Sequence, residues 1–214
     1  MANSDTEVVI VGGGAAGIAA GRRLMDARVD CLVVEARPRL GGRAWTMRGN
    51  SAFPIDLGCG WLHSADRNPW RDIAAAQGCL IDKTPPPWSR RPAPIGFPLS
   101  EQTSFLQALQ KFYQQLHSHS EQAPDVPAAT FLEPRGQWNA LINAVSTYAN
   151  GAELDRVSAR DVGRYDDSGV NWRVVEGYGT AVAAHGAGLP VMLGQPVRLI
   201  DRSGRRLRVE TAGG

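Results

Sequence analysis

The chain has 214 residues and a mass of 23.0 kDa, room for one large domain or two small ones and for a substantial core. Hydrophobic residues make up 43% and charged residues 21%, which excludes wholesale disorder, collagen and a coiled coil. A net charge of +2 gives no argument for nucleic acid, no run of 18 apolar residues offers a transmembrane helix, and the first residues lack the basic-then-apolar order of a secretory signal. A cytoplasmic protein with no nucleic-acid or membrane partner is the expectation. Cys31, Cys59 and Cys79 show neither CxxC nor CxH spacing, so reduced thiols are expected and no metal site. Of 23 Lys plus Arg, only Lys83 and Lys111 are lysine, leaving 21 arginines, a bias read as genome composition.

In chain order, residues 6–11 (TEVVIV) form a short β-branched run that ends at three glycines and predict a buried strand. Residues 15–27 are rich in Ala, Leu and Ile and predict a helix, and 30–35 (DCLVVE) a second buried strand. Two parallel strands joined this way need the helix as crossover, a βαβ unit. Residues 36–66 read as loop. A helix is predicted over 68–77, with Asn68 as N-cap and Pro69 at its first position. Six prolines between 84 and 98, among them Pro92 and Pro94, forbid regular helix and mark a linker. A helical stripe follows over 100–118, a second break at Pro124, Pro127 and Pro134, helix again over 136–150, and a short one over 158–162. From Trp172 the β character returns (WRVVEGYG), followed by a helix over 179–186 and the segments PVMLG, PVRLI and RLRVET, the last two as a hairpin through Ser203-Gly204.

Chemistry concentrates at the first turn. Gly12-Gly13-Gly14-Ala15-Ala16-Gly17 is a GxGxxG between a strand and a helix. Gly12 permits the tight turn, Gly14 the approach of a pyrophosphate, and Gly17 close packing of helix on strand. The helix N-terminus offers free N–H groups and the positive end of its dipole to phosphate. Glu35, 18 residues past Gly17 and at the end of the second strand, is placed to accept from ribose hydroxyls. These features fit NAD and FAD equally.

The next segment separates them. VVIVGGGAAGIAAGRRL followed by EARPRLGGR at 35–43 resembles the flavin-containing amine oxidase superfamily, which also holds polyamine oxidases, amino-acid oxidases, phytoene desaturases and protoporphyrinogen oxidases. The resemblance implies FAD and adds Ala36, Arg37, Gly41, Gly42 and Arg43 to the cofactor site. Residues 56–70, DLGCGWLHSADRNPW, are similar to the segment that polyamine and monoamine oxidases place beside the flavin ring. Asp56, Gly58, Trp61, His63, Asn68 and Pro69 match, while Cys59 stands for a common Ala and Ser64 for a common Gly. By this resemblance Gly58, Cys59, Gly60 and Trp61 lie near the flavin. His63, at a position that faces the substrate tunnel in polyamine-type relatives, is the candidate catalytic residue, against the plain alternative of a hydrogen-bonded loop histidine. WRVVEGYGTAVAAH from 172 resembles the segment re-entering the FAD domain, and Val197 matches a valine that contacts adenine through its backbone. His117 and His119, two apart on a helix, read as surface residues.

The expected fold is therefore α/β: a Rossmann-like, two-dinucleotide-binding FAD domain (1–80 and 169–214) with a mostly helical substrate-domain insertion (81–168). The resemblance implies oxidation of an amine by hydride transfer to flavin, with O2 as acceptor. Two alternatives stay open: another flavoprotein of the superfamily (amino-acid oxidase or desaturase-like), or a non-catalytic nucleotide-binding fragment or subunit. Relatives of this kind are about twice as long, and the segments expected downstream include a lysine holding water near the flavin. A C-terminally truncated chain is thus expected, with a second chain as the candidate source of the missing half and exposed apolar surface as the consequence.

Overall fold

The short β-branched run that precedes the glycines pairs at once with the next. In the computed structural model, which describes residues 5–49, 53–89, 96–121 and 124–213, the elements run β1 (Val8–Val11), α1 (Ala15–Asp26), β2 (Cys31–Val34), β3 (Thr46–Met47), β4 (Ile55–Asp56), α2 (Pro69–Ala76), β5 (Ile81–Asp82), α3 (Leu99–His119), α4 (Asn139–Ala149), α5 (Ala159–Arg164), β6 (Arg173–Val174), α6 (Tyr178–His185), β7 (Val191–Met192), β8 (Val197–Asp201) and β9 (Arg208–Thr211). Two compact units divide the chain, one of residues 1–86 with 168–214 and one of 87–167.

The first unit is built on a parallel sheet in the order β1-β2-β7. Val8 pairs with Cys31 and Val11 with Val34, while Val33 and Val34 pair with Val191 and Met192. Helix α1 is the crossover that two parallel strands require. Its Ile18 is fully buried. Gly21 brings it onto Leu189, whose methyls lie 3.2 Å from where a Cβ would stand. Ile18 and Val33 join Leu62, Val182 and Leu189 in one core. β1 is an edge strand among the described residues, and its Val11 is 54% exposed.

Two expectations need correction here. Residues 36–66, read as loop, hold the antiparallel hairpin β3–β4, with Thr46 opposite Asp56 and Met47 opposite Ile55. Strands of two residues leave no alternation to read, because tertiary hydrogen bonds form them. Within WRVVEGYG at 172–179 the β character is confined to β6, which pairs with β5, and an isolated bridge from Trp172 to Leu62. The chain then turns at Gly177, at φ 97°, straight into α6.

The described part of the second unit is helical. Phe112 and Leu116 on α3, Ile142 on α4 and Leu154 in a 3₁₀ turn form its core. α5 crosses α3 at Gly163, where a Cβ would stand 2.4 Å from the Leu116 carbonyl oxygen. The helix predicted over 136–150 begins only at Asn139, after a turn closed by Gly136 N–H donating to Glu133 O (2.9 Å). His119 is half-buried against Phe131, ring centroids 4.8 Å apart, whereas His117 is exposed. Pro92 and Pro94 lie outside the described residues; Pro98 caps the start of α3.

Candidate functional site

The glycine turn and the 41–43 loop meet backbone to backbone. Gly41 N–H donates to Gly13 O at 2.8 Å, and Gly14 bridges Gly41 in parallel fashion. A Cβ on Gly42 would stand 3.1 Å from Gly14 Cα, and one on Gly17 would stand 1.9 Å from Gly12 O. Gly12 itself sits at φ 102°, a conformation that only glycine adopts without strain. Thus Gly12, Gly17 and Gly42 each meet a geometric demand, whereas a Cβ on Gly14 would stand an ordinary 3.8 Å from Gly42 Cα.

Helix α1 starts at this turn with no side-chain cap on Gly14 and no acidic residue in its first turn. Its first N–H groups have no intrahelical partners, and the dipole adds positive potential. The end of α1 at Ala15 and Ala16 is therefore open to an anion, walled by Gly41 and Gly42.

Glu35 is buried, 7% exposed. Its Oε2 accepts from Gly13 N–H at 2.6 Å and its Oε1 from Arg37 N–H at 2.8 Å. The carboxylate therefore holds the glycine turn in place, and each oxygen keeps a lone-pair direction for a further donor. Arg37 and Arg39 both donate to Gly42 O, each at 3.1 Å, and Arg39 also lies 4.5 Å over the Trp45 ring. Two guanidinium groups thus shape the loop; Ala36 and Arg43 are exposed beside it. Gly194 N–H donates to Arg37 O and Gln195 N–H to Glu35 O. The strand carrying Val197 is thereby brought to the same place, two residues on.

The 56–61 segment is attached through Gly58, where a Cβ would stand 1.8 Å from Arg43 O. Gly58 and Cys59 are exposed and Gly60 and Trp61 half-buried. Partial desolvation of its sulfur pushes the Cys59 thiol up although the residue as a whole is exposed, reinforced by Asp56 and opposed by its own backbone hydrogen bond and by Arg43. Arg173 lies 5.1 Å over the Trp61 ring.

His63 is exposed and bonds elsewhere, its Nδ1 lying 2.6 Å from Asn171 Oδ1. Asn171 is buried and its amide nitrogen donates to Gly169 O at 3.0 Å. Its oxygen is then the acceptor, so His63 Nδ1 carries the proton and Nε2 is the free acceptor of the neutral ring. Ser64, at a position where the resemblance implies a common glycine, sits at φ 49°, so a glycine there would have a conformational reason and the exchange is not only one of size.

Sequence reasoning passed over Asp56, Thr46, Arg39 and Asn171 as working residues. One signal for the first two was present: the alternate glycines of E-G-Y-G-T at 176–180. A Cβ on Gly179 would stand 2.4 Å from Thr46 N, so these glycines exist to admit the hairpin. A groove of about 810 Å³ lies in the second unit between α3 and the 130–139 segment, and none of the predicted site residues lines it.

The turn, the two glycine loops and Glu35 define an α/β dinucleotide-binding unit. Residues 15–76 match the family of flavin containing amine oxidoreductases. Over 85 residues the chain is 38% identical to polyamine oxidase 2 of Arabidopsis thaliana, a match covering 39% of this chain and 17% of that protein. Lysine-specific histone demethylase 2 of Homo sapiens is 25% identical over 234 residues, covering 97% of this chain and 28% of the demethylase. A solved structure of putrescine oxidase, a double mutant made in a structure-based redesign of cofactor binding, superposes with a TM-score of 0.69 at 18% identity over 97% of this chain and 55% of the other. Residues 15–76 are thus similar to the flavin-containing amine oxidases, and the putrescine oxidase match shows that the chain shares that fold. It spans about half of the putrescine oxidase chain and less of the curated relatives. No helix among the described residues is long and apolar enough to cross a membrane.

Proposed function

We propose that this chain holds FAD and forms the cofactor-binding part of an enzyme that oxidises a small amine, with O2 as electron acceptor. The observation that carries the reading is the joining of the 12–17 turn to the 41–43 loop by Gly41 N–H···O Gly13 at 2.8 Å. It leaves a side-chain-free cradle at an uncapped helix N-terminus, which suits a diphosphate. In this reading Gly12, Gly14, Ala15, Ala16, Gly17, Gly41, Gly42 and Arg43 hold the diphosphate, with Ala36 and Arg37 beside it. Glu35 accepts from the ribose, and Val197 backs the adenine. Residues 58–61 border the ring, and the second unit forms part of the substrate domain. When bound, flavin supplies the acceptor for the hydride lost from the carbon next to nitrogen.

His63 is the catalytic candidate. With Nδ1–H spent on Asn171, Nε2 is left to take a proton from an ammonium substrate or to orient the amine. A second chain has no support in the comparisons and forms no part of this reading.

The test is a titration of the purified chain with FAD, followed in the visible spectrum. Stoichiometric uptake with shifted, resolved flavin bands is expected, and Gly14→Val should abolish it by filling the cradle. A wild-type chain that takes up no FAD would overturn the reading. For the loaded chain, bleaching of the flavin by amines but not by amino acids or polyenes is the expected substrate result.

A further inference from the structure

Helix α6 has a problem at its start. Its N-cap, Gly177, has no side chain to offer, and its first turn holds no acidic residue. Tyr178 and Gly179 are buried, so water cannot easily satisfy their N–H groups, and an orphaned buried donor costs on the order of 1–3 kcal/mol. The solution comes from more than a hundred residues away. Asp56 Oδ2 accepts from Tyr178 N–H at 3.1 Å and Oδ1 from Gly179 N–H at 3.3 Å. Thr46 Oγ1 accepts from Thr180 N–H at 3.0 Å and donates to Asp56 Oδ1 at 2.5 Å. Thr46 and Asp56 are direct cross-strand partners in β3–β4, so the two strands cap the helix together. A carboxylate there also meets the positive end of the dipole.

The close approach has been made room for. A Cβ on Gly177 would stand 2.2 Å from the Thr46 side chain, and one on Gly179 2.4 Å from Thr46 N. On its far side the hairpin leads directly into 57–61. Leu57 N–H donates to Trp45 O at 2.8 Å, and Gly58 then lies on Arg43 O. This strand end and the Gly58 contact fix the segment on the side of the 41–43 loop, while at its other end Arg173 lies over the Trp61 ring and Leu62 N–H donates to Trp172 O at 2.8 Å.

We infer that Asp56 is a positioning residue: by capping α6 together with Thr46 it fixes the 57–61 segment relative to the core helix, and so sets the ring side of the flavin site without touching the diphosphate side. The consequence for flavin rests on the function proposed above; the coupling between 57–61 and 178–180 does not.

The experiment compares wild type, Asp56→Asn, Thr46→Val and Thr46→Ser in the full 214-residue chain, by amide hydrogen exchange without ligand and by FAD and ADP binding. Asp56→Asn keeps the shape but places an amide NH2 among donors. Thr46→Val is the milder lesion should the first variant fail to fold. In both, exchange is expected to rise about tenfold at 178–180 and at 57–61 together, with the 12–17 turn unchanged, and Thr46→Ser should restore wild-type protection. Both lesions should leave ADP affinity within about twofold, while bound FAD becomes more fluorescent and its visible bands less resolved. Faster exchange at 178–180 alone would overturn the coupling and leave Asp56 a helix cap. Loose 57–61 with an unchanged flavin spectrum would overturn the positioning role. If the wild type takes up no FAD, the proposed function fails, and the exchange arm still decides the coupling.

Discussion

The two units of the chain are held together by different means. In the first, backbone lies on backbone: the 12–17 turn on the 41–43 loop, Gly58 on Arg43, and Gly179 on Thr46. Its polar ties span long stretches of sequence, as from Asp56 to Tyr178 or from Gly13 to Glu35. In the second, apolar side chains of α3 and α4 interlock with the short helical turns around them, and one backbone contact, at Gly163, draws two helices close. Side-chain packing tolerates exchange of similar volumes. Contacts between backbones leave no atom that can give way, so the unit carrying the candidate site is the one least able to absorb substitution.

The largest expected effect tests that contrast directly. Gly58→Ala would place a Cβ 1.8 Å from Arg43 O and Gly17→Ala one 1.9 Å from Gly12 O, in both cases against main chain. Each should destabilise the first unit by more than the about 1–3 kcal/mol of ordinary overpacking, read as loss of its thermal transition and of FAD uptake. Leu116→Ala in the second unit, where the side chain is fully buried, should cost about 2–5 kcal/mol through the cavity it leaves. The second unit should melt earlier and the glycine-loop amides keep their protection. Equal sensitivity of the two units to these lesions would erase the distinction.

Much of the first unit was legible because its glycines do single, local jobs. GxGxxG after a β-branched run, with an acid after the second strand, states a strand, a turn and a helix in a few residues, and Asn68-Pro69 states a helix start that the structure confirms by Trp70 N–H donating to Asn68 Oδ1 at 3.0 Å. The hairpin at Thr46 and Asp56 was not legible. Its strands are two residues long, and the partners that give Asp56 its task lie at 178–180. Glu35 was assigned a ribose, yet in the folded chain it first serves Gly13. The pattern names the residue, and only the fold shows that the carboxylate also holds the turn. The hairpin also exposes Trp45, Met47, Ile55 and Leu57, each by at least 40%.

Smaller effects sharpen the comparison at matched chemistry. Both units use side-chain N-caps: Asn68 for α2 and Ser158 for α5, the latter accepting from Asp161 N–H at 3.0 Å. Ser158→Ala should cost about 1 kcal/mol. Asn68→Ala should cost more, because Asn68 also donates to His63 O at 2.9 Å and so ties the catalytic candidate to the helix. Paired melting curves check the order. A cost confined to about 1 kcal/mol at both sites would show that the link to His63 has no energetic weight.

The mildest difference is one of pH. Tyr178, buried where α6 meets the hairpin, has its hydroxyl pushed up to about 12, by burial first and then by the neighbouring Cys59. Burial also raises Tyr113 in the second unit. A phenol whose folded pKa lies above the unfolded value of about 10 contributes stability that is complete below that pH. As the pH rises, the unfolded chain loses its proton first, and the contribution is gone once the pH passes the folded value. The first unit should therefore lose stability between about pH 10 and 12, and Tyr178→Phe should remove that slope while leaving the neutral-pH melting point nearly unchanged, since the ring still packs edge-on to Trp70 at 6.1 Å. A wild-type slope that persists in the variant would assign the alkaline loss to other groups, and the end of α6 would then be less shielded than its dependence on Asp56 and Thr46 requires.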